Sequence, residues 1–310
     1  MDTSPHKSDF VNVNGVRLHY LDWGGEGKVL LFLTGLGSSA HIFDDLAPQF
    51  TDQFRVLGLT RRGHGQSDKP ETGYEIGTLV EDIRQFLDSM GINRVTLAGH
   101  SLAGDEMTLF AGTYPDRLHK LIYLDAAYDH SKLTDSDLVS QAPEVFRLLE
   151  PTPEDLQSLD AYRDWCKTKR FGFWSGAQEA DMRELTVVSS EGKILGRVIP
   201  PHVYQAIERV LQKSPLDYRR VKAPALAFYS LKTMESWFPW LQSNVNKEVQ
   251  REAQDLLNHV LVPETRKNIE KFSNEVMSGR VIELESTDHY CFIQRRDEVV
   301  SHMREFLLAA

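Results

Sequence analysis

The sequence predicts an α/β chain: a mostly parallel central sheet flanked by helices, with a helical cap inserted in its middle. Three observations predict this. Strand-like and helix-like segments alternate from Val29 to Leu124, the pattern of βαβ units. Val29-Leu30-Leu31-Phe32-Leu33 is an unbroken apolar run, which suits a strand covered on both faces. The alternation then stops between about Tyr128 and Tyr218 and resumes at Pro224.

The elements follow in order. Phe10–Val13 and Val16–Asp22 read as a hairpin, because Asn14-Gly15 between apolar alternations is a strong turn signal. A turn at Gly24–Gly27 leads into the strand Val29–Leu33, and Arg55–Leu59 is the next strand. Tyr74–Met90 reads as a helix with Leu79, Ile83, Phe86, Leu87 and Met90 on one face. Val95–Ala98 is a short strand, Leu102–Tyr114 a helix that stops before Pro115, and Leu121–Leu124 a strand. The stretch from Tyr128 to Tyr218 has helical patterning, no clear buried strand, and prolines at 151, 153, 200, 201 and 215. Insertion at a loop accounts for it. After it come the strand Pro224–Tyr229, a helical region Asn244–Met277, the strand Val281–Leu284 and a helix Arg296–Leu308. Residues 1–127 and 219–310 are therefore expected to form the core domain, and residues 128–218 the cap.

Composition narrows the function. With 310 residues, 41% hydrophobic and 26% charged, the chain can bury a full core. A net charge of −10 repels phosphate backbones and anionic lipid heads, so the expected partner is a small-molecule substrate, with neither nucleic acid nor membrane. The chain is expected as a monomer or homodimer. The first ten residues lack a leader-like apolar stretch and no apolar run is long enough to span a bilayer, so a cytoplasmic location is expected. The two cysteines, Cys166 and Cys291, cannot make a disulfide framework or a cysteine zinc site. No metal and no cofactor is expected.

The chemistry centres on Gly99-His100-Ser101-Leu102-Ala103-Gly104, between a strand and a helix. A chain that turns from strand to helix within about three residues leaves its serine in a strained conformation at the turn. Small residues two before and two after it, Gly99 and Ala103, avoid clashes with neighbouring backbone. The serine then stands at a helix N-terminus, whose free N–H groups favour developing negative charge.

These residues resemble the α/β-hydrolase superfamily, specifically its cap-bearing esterase-, dehalogenase- and epoxide-hydrolase-like branch. The resemblance spans residues 10 to 308, the cap being its least recognisable part. It includes Thr34-Gly35-Leu36-Gly37, where the family commonly has His-Gly. It also includes Arg61-Arg62-Gly63-His64-Gly65-Gln66-Ser67, like the family's Arg-Gly-x-Gly-x-Ser turn, and Tyr114-Pro115-Asp116-Arg117. The resemblance implies an α/β-hydrolase fold with Ser101 as nucleophile. Dehalogenase and epoxide-hydrolase chemistry in this family uses an aspartate there, so the serine argues against both. His289 in Ser286-Thr287-Asp288-His289 follows the last strand, the place the fold gives its general base. The adjacent His100 is expected to point its side chain away. The oxyanion hole is expected from the amides of Leu36 and Leu102.

The triad acid departs from the family's pattern. Relatives more often place it after the strand corresponding to Pro224–Tyr229, which here puts Thr233 in its position. A threonine cannot carry the charge that stabilises an imidazolium. Asp125, at the end of Leu121–Leu124, is the expected acid, and Glu235 the rival; Asp129 and Asp288 are weaker candidates. Asp105 is expected to be first-turn helix charge, and Glu106 a buried carboxylate with no assigned partner. Cap aromatics contribute to pocket walls in such folds, and Trp165, Phe173 and Trp174, with Trp237 beyond the cap, are the expected contacts.

The implied activity is hydrolysis of a small to medium apolar carboxylic ester through an acyl-enzyme. The same triad suits an amidase, a lactonase, a carbon–carbon bond hydrolase, a hydroxynitrile lyase or a cofactor-free haloperoxidase. A non-catalytic receptor built on the fold is a further alternative. A nucleotide-binding protein is disfavoured, because neither Gly-x-Gly-x-x-Gly nor a Walker loop follows the first parallel strand.

Overall fold

The structure is a computed structural model that describes residues 6–133, 135–242 and 246–309. Its main sheet has eight strands: β1 (Lys7–Val13), β2 (Val16–Gly24), β3 (Val29–Leu33), β4 (Arg55–Leu59), β5 (Val95–His100), β6 (Leu118–Leu124), β9 (Ala225–Leu231) and β10 (Gly279–Glu285). Their spatial order is β1-β2-β4-β3-β5-β6-β9-β10. β1 and β2 form the antiparallel hairpin around Asn14-Gly15, with φ of 48° and 75° there, and β2 runs antiparallel to β4. Every other pairing is parallel.

The apolar runs explain this sheet. Leu31, Leu33, Leu57, Leu59, Leu97, Leu121, Tyr123, Ala225, Ala227 and Tyr229 point into one core. Their neighbours Leu30, Phe32, Val56, Ala98, Ile122, Leu124, Leu226 and Phe228 point into the other. Strand side chains alternate faces, so a strand with two buried faces must be apolar at every position. Helices α1 (Ile76–Ser89) and α2 (Ala103–Thr113) cover the first face. The last helix, α12 (Arg296–Leu308), covers the second through Val299, Met303 and Leu307.

Between β6 and β9 lie α3 (Asp135–Gln141), α4 (Pro143–Leu148), α5 (Leu159–Trp165), α6 (Gly176–Leu185) and α7 (Pro201–Leu211). They include a hairpin of β7 (Thr186–Val188) and β8 (Ile194–Arg197) that the sequence reading did not anticipate. Val187, Val188 and Leu195 of this hairpin are exposed, so it lacks the apolar run by which a buried strand is recognised. After β9 come α8 (Met234–Trp237), α9 (Lys247–Leu256), α10 (Val262–Glu275) and, beyond β10, α11 (Cys291–Gln294). The expected helical region 244–277 starts on residues outside those described; helix is present from Lys247. Ala142 and Val145 of the insertion share a core with Phe238, Trp240, Leu241, Val249, Ala253, Leu256, Leu257 and Leu261. The helical layer is thus built from two stretches of chain, one on each side of β9. No helix among the described residues is long and apolar enough to cross a membrane.

Helix α6 ties the insertion to the loop after β3. Asp181 Oδ1 accepts hydrogen bonds from Ser39 N and Oγ at 2.6 and 2.8 Å. His41 is held between Asp44, 2.8 Å from Nδ1, and Glu184 of α6, 3.0 Å from Nε2. Burial alone would lower the His41 pKa, but the hydrogen bonds to the two carboxylates win and push it up to about 10. A raised pKa makes this clasp stabilising below the unfolded imidazole value of about 6.5 and lost as pH rises through the folded value. The thermal midpoint should therefore fall by on the order of 2–5 °C between pH 7 and 10. In His41→Gln that part of the fall should be absent; identical pH curves for the two proteins would contradict the clasp.

Candidate active site

The six parallel strands, β3 to β6, β9 and β10, end on one edge, where open α/β sheets place their sites. At the first residue beyond β5, β6 and β10 stand Ser101, Asp125 and Ser286, with φ of 54°, 47° and 51°. Left-handed backbone at a non-glycine residue costs on the order of 1–3 kcal/mol and persists where the surroundings enforce it. For Ser101 the enforcement is visible. A Cβ on Gly99 would stand 2.7 Å from Ala103 Cβ, and one on Gly104 would stand 1.7 Å from the Ala126 carbonyl oxygen. Glycines at 99 and 104 therefore let β5 turn directly into α2 beneath the end of β6. Ser101 is half-buried and Leu102, the first residue toward α2, is buried.

Asp125 is wholly buried, accepts three hydrogen bonds and has one cation nearby. Oδ1 takes hydrogen bonds from Ser230 N and Tyr128 Oη, each at 2.8 Å. Oδ2 lies 2.7 Å from His289 Nδ1 and 3.9 Å from Lys232 Nζ. Burial alone would push the Asp125 carboxyl up; the Lys232 charge, the His289 hydrogen bond and the Ser230 amide more than offset it and hold it at about 2. With Asp125 ionised, His289 donates Nδ1–H to it, which leaves Nε2 as the unprotonated nitrogen of the neutral ring. The rival acid, Glu235, is exposed on α8. Thr233 is that helix's N-cap, accepting from Ser236 N at 3.2 Å. Asp288 Oδ1 accepts from Tyr290 N, and Asp129 Oδ1 from Ser131 Oγ.

His100 does not point away, contrary to expectation. Its ring lies 4.4 Å from that of His289, 4.8 Å from Tyr290 and 5.0 Å from Phe292, and its Nε2 donates to the His289 carbonyl at 3.1 Å. Strand alternation is the cause: His100 lies two residues beyond Ala98 on β5 and so shares its face, the side of the sheet where Phe292 packs. A Cβ on Gly35 would meet His100 Nδ1 at 2.8 Å and Ser101 Cβ at 3.1 Å. Burial, and then the neighbouring His289, hold His100 well below the ordinary imidazole range, so it packs as a neutral ring.

The same close approach brings the loop after β3 against Ser101. Gly35 and Leu36 belong to it, and Leu36 is half-buried against the core. Its carbonyls are clamped by the buried Arg61, which donates through Nη2 to Thr34 O at 2.6 Å and through Nη1 to Gly35 O at 3.1 Å. Arg61 Nε donates in turn to Glu106 Oε1. The carboxylate left without a partner in the sequence reading thus anchors the clamp. Burial pushes Glu106 up, and Arg61 pulls against it. Asp105 is buried rather than solvated, 2.6 Å from His130 Nδ1. No sequence spacing signals either pair, since each joins the first turn of α2 to a distant segment of chain.

The four expected aromatics scatter. Trp174 lines a cavity of about 40 Å³ that runs under the insertion from Gly37 to Tyr290, with Tyr162, Phe171, Gln178 and Arg197. The Trp237 ring lies 6.4 Å from that of His289. Trp165 is buried and stacked on Tyr162 at 5.3 Å, and Phe173 lies 6.2 Å from Phe171. Neither of the last two lines that cavity. A larger groove of about 680 Å³, between residues 71–77 and 206–220, includes none of Ser101, Asp125 and His289. Among the described residues, His6, His41 and Asp44 bring possible metal-ligand atoms within 4.8 Å of one another. His41 there already spans Asp44 and Glu184.

Known proteins resemble this chain in sequence and in fold. The curated 2-(acetamidomethylene)succinate hydrolase of Mesorhizobium japonicum is 30% identical over 141 residues, 44% of this chain and 48% of that protein. Epoxide hydrolase 4 of Mus musculus is 31% identical over 137 residues, 43% of this chain and 38% of that protein. These matches span about half, or less, of the curated relatives' length. The solved structure of E-2-(acetamidomethylene)succinate hydrolase superposes with a TM-score of 0.73 at 19% identity, covering 98% of this chain and 100% of that one. The sequence profile of the alpha/beta hydrolase fold matches residues 28–195, more than half of the chain. The chain belongs to the α/β-hydrolase fold family.

Proposed function

We propose that this protein is a serine hydrolase that cleaves carboxylic esters through an acyl-enzyme. The observation that carries the reading is the 2.7 Å hydrogen bond between Asp125 and His289, made at the strand-end edge where Ser101 occupies a left-handed turn. Ser101 Oγ attacks the ester carbonyl carbon while His289 Nε2 takes its proton. The Leu36 and Leu102 amides receive the oxyanion, and the Arg61 clamp on Thr34 and Gly35 keeps the first of them in place. His289 returns the proton to the departing alcohol. Water then attacks the acyl carbon, again giving its proton to His289, and the acid leaves as Ser101 is regenerated. Asp125 stays ionised throughout and holds the imidazole ring in one tautomer. Epoxide opening in this family runs through an aspartate nucleophile, and the elbow here carries serine. That supports ester rather than epoxide chemistry, although Epoxide hydrolase 4 is a relative.

A second reading has a specific motive: the Mesorhizobium relative is named for an acetamido compound. The screen that tests the proposal therefore takes p-nitrophenyl esters of rising acyl length together with acetamido, anilide and lactone analogues. Esters of short or medium acyl chains should be turned over fastest, and a fluorophosphonate probe should label Ser101 alone. Labelling of Ser101 with turnover confined to the amides would replace the ester reading by the amidase one. No labelling would remove the serine-hydrolase reading.

A further inference from the structure

The end of β9 carries a cation. Lys232, just before the capping Thr233, is only 9% exposed. Its Nζ donates to Tyr128 Oη at 3.1 Å and lies 3.9 Å from Asp125 Oδ2. The rings of Tyr128 and Trp237 flank it, with centroids 4.9 and 4.8 Å away. A buried ammonium needs a compensating charge and hydrogen-bond acceptors. The carboxylate beside this one is Asp125, which is also the hydrogen-bond partner of His289. With His289 neutral, Asp125 and Lys232 balance. When His289 takes a proton, two cations share one buried carboxylate.

We propose that Lys232 is a positioning residue whose ammonium, acting through Asp125 and Tyr128, weakens the hold of the site on a proton at His289 and so keeps that base free at lower pH. The inference rests on the reading of His289 as general base. Tyr128 extends the effect, since it donates to Asp125 Oδ1 while accepting from Lys232. Among the described residues, other groups also face His289. From β5 comes His100, kept neutral by burial; from its own loop come Tyr290, with its ring 5.8 Å away, and Asp288, raised to about 6 by burial. From α8 comes Trp237, which does not titrate. Comparison of variants that leave Asp288 intact isolates the lysine.

The test follows the His289 imidazole by NMR titration in the full chain, alongside the pH profile of kcat/KM for a p-nitrophenyl ester. Lys232→Met keeps the volume and removes the charge. It should raise the His289 midpoint by about one pH unit, with the acid limb of the rate profile moving by the same amount. Lys232→Arg should leave both near their wild-type positions. If Lys232→Met fails to fold, Tyr128→Phe, which removes a donor from Asp125, should move the midpoint in the same upward direction. An unmoved or lowered midpoint in the folded charge-removing variant overturns the proposal. An upward shift in a protein that turns over no ester leaves the proposal standing and removes the ester reading instead.

Discussion

Ser101→Ala should lower turnover of a good p-nitrophenyl ester by about 10⁴-fold or more while KM changes little. The reason is chemical: the variant keeps the loop after β3, the helix N-terminus and the imidazole, yet has no atom with which to form an acyl bond. What rate remains comes from binding and oxyanion stabilisation acting on water. Folding should survive, because alanine adopts the turn at no greater cost than serine. A variant that kept more than about a tenth of wild-type turnover would transfer the nucleophile to another group. Intact-mass spectrometry during turnover gives an independent reading, since the acyl adduct should form on the wild-type chain and be absent from the variant.

Asp125→Asn comes second, with an expected loss on the order of 10²–10⁴ in kcat. Asparagine fits the space and can still accept from the Ser230 amide and Tyr128. It cannot balance an imidazolium, and its amide hydrogens favour the His289 tautomer with the proton on the wrong nitrogen. It also leaves Lys232 buried beside no anion, so some loss of thermal stability should accompany the loss of rate. Glu235→Gln should stay near wild type, as expected for an exposed side chain. Near-normal turnover in Asp125→Asn with a large loss in Glu235→Gln would move the acid to the segment after β9.

The sheet was legible from sequence because two-sided burial writes itself as apolar runs. Leu121-Ile122-Tyr123-Leu124 could hardly be anything but an inner strand. The places of Ser101, Asp125 and His289 at strand ends followed from the same runs. Contacts across the edge were not legible in the same way, because they depend on which strands are neighbours. Lys232 sits beside Asp125 through the pairing of β6 with β9, which brings Leu124 opposite Phe228. His100 meets His289 because the chain after β10 crosses the end of β5 on the face that His100 shares with Ala98. Arg61 and Glu106 form their clamp across 45 residues of chain. A single sequence holds no periodicity for such meetings.

The shared core of Ala142 and Val145 with Phe238, Leu241, Leu256 and Leu261 bears on any attempt to re-engineer specificity by exchanging modules. A graft cut only at 128 and 218 would strip the cover from the second stretch and expose a contiguous oily surface, an invitation to aggregation. The transplantable unit is discontinuous: it must carry the segment from about Phe238 to Leu261 along with the insertion, joined through four cuts rather than two. A chimaera made that way should stay soluble, and one made with two cuts should collect in the pellet.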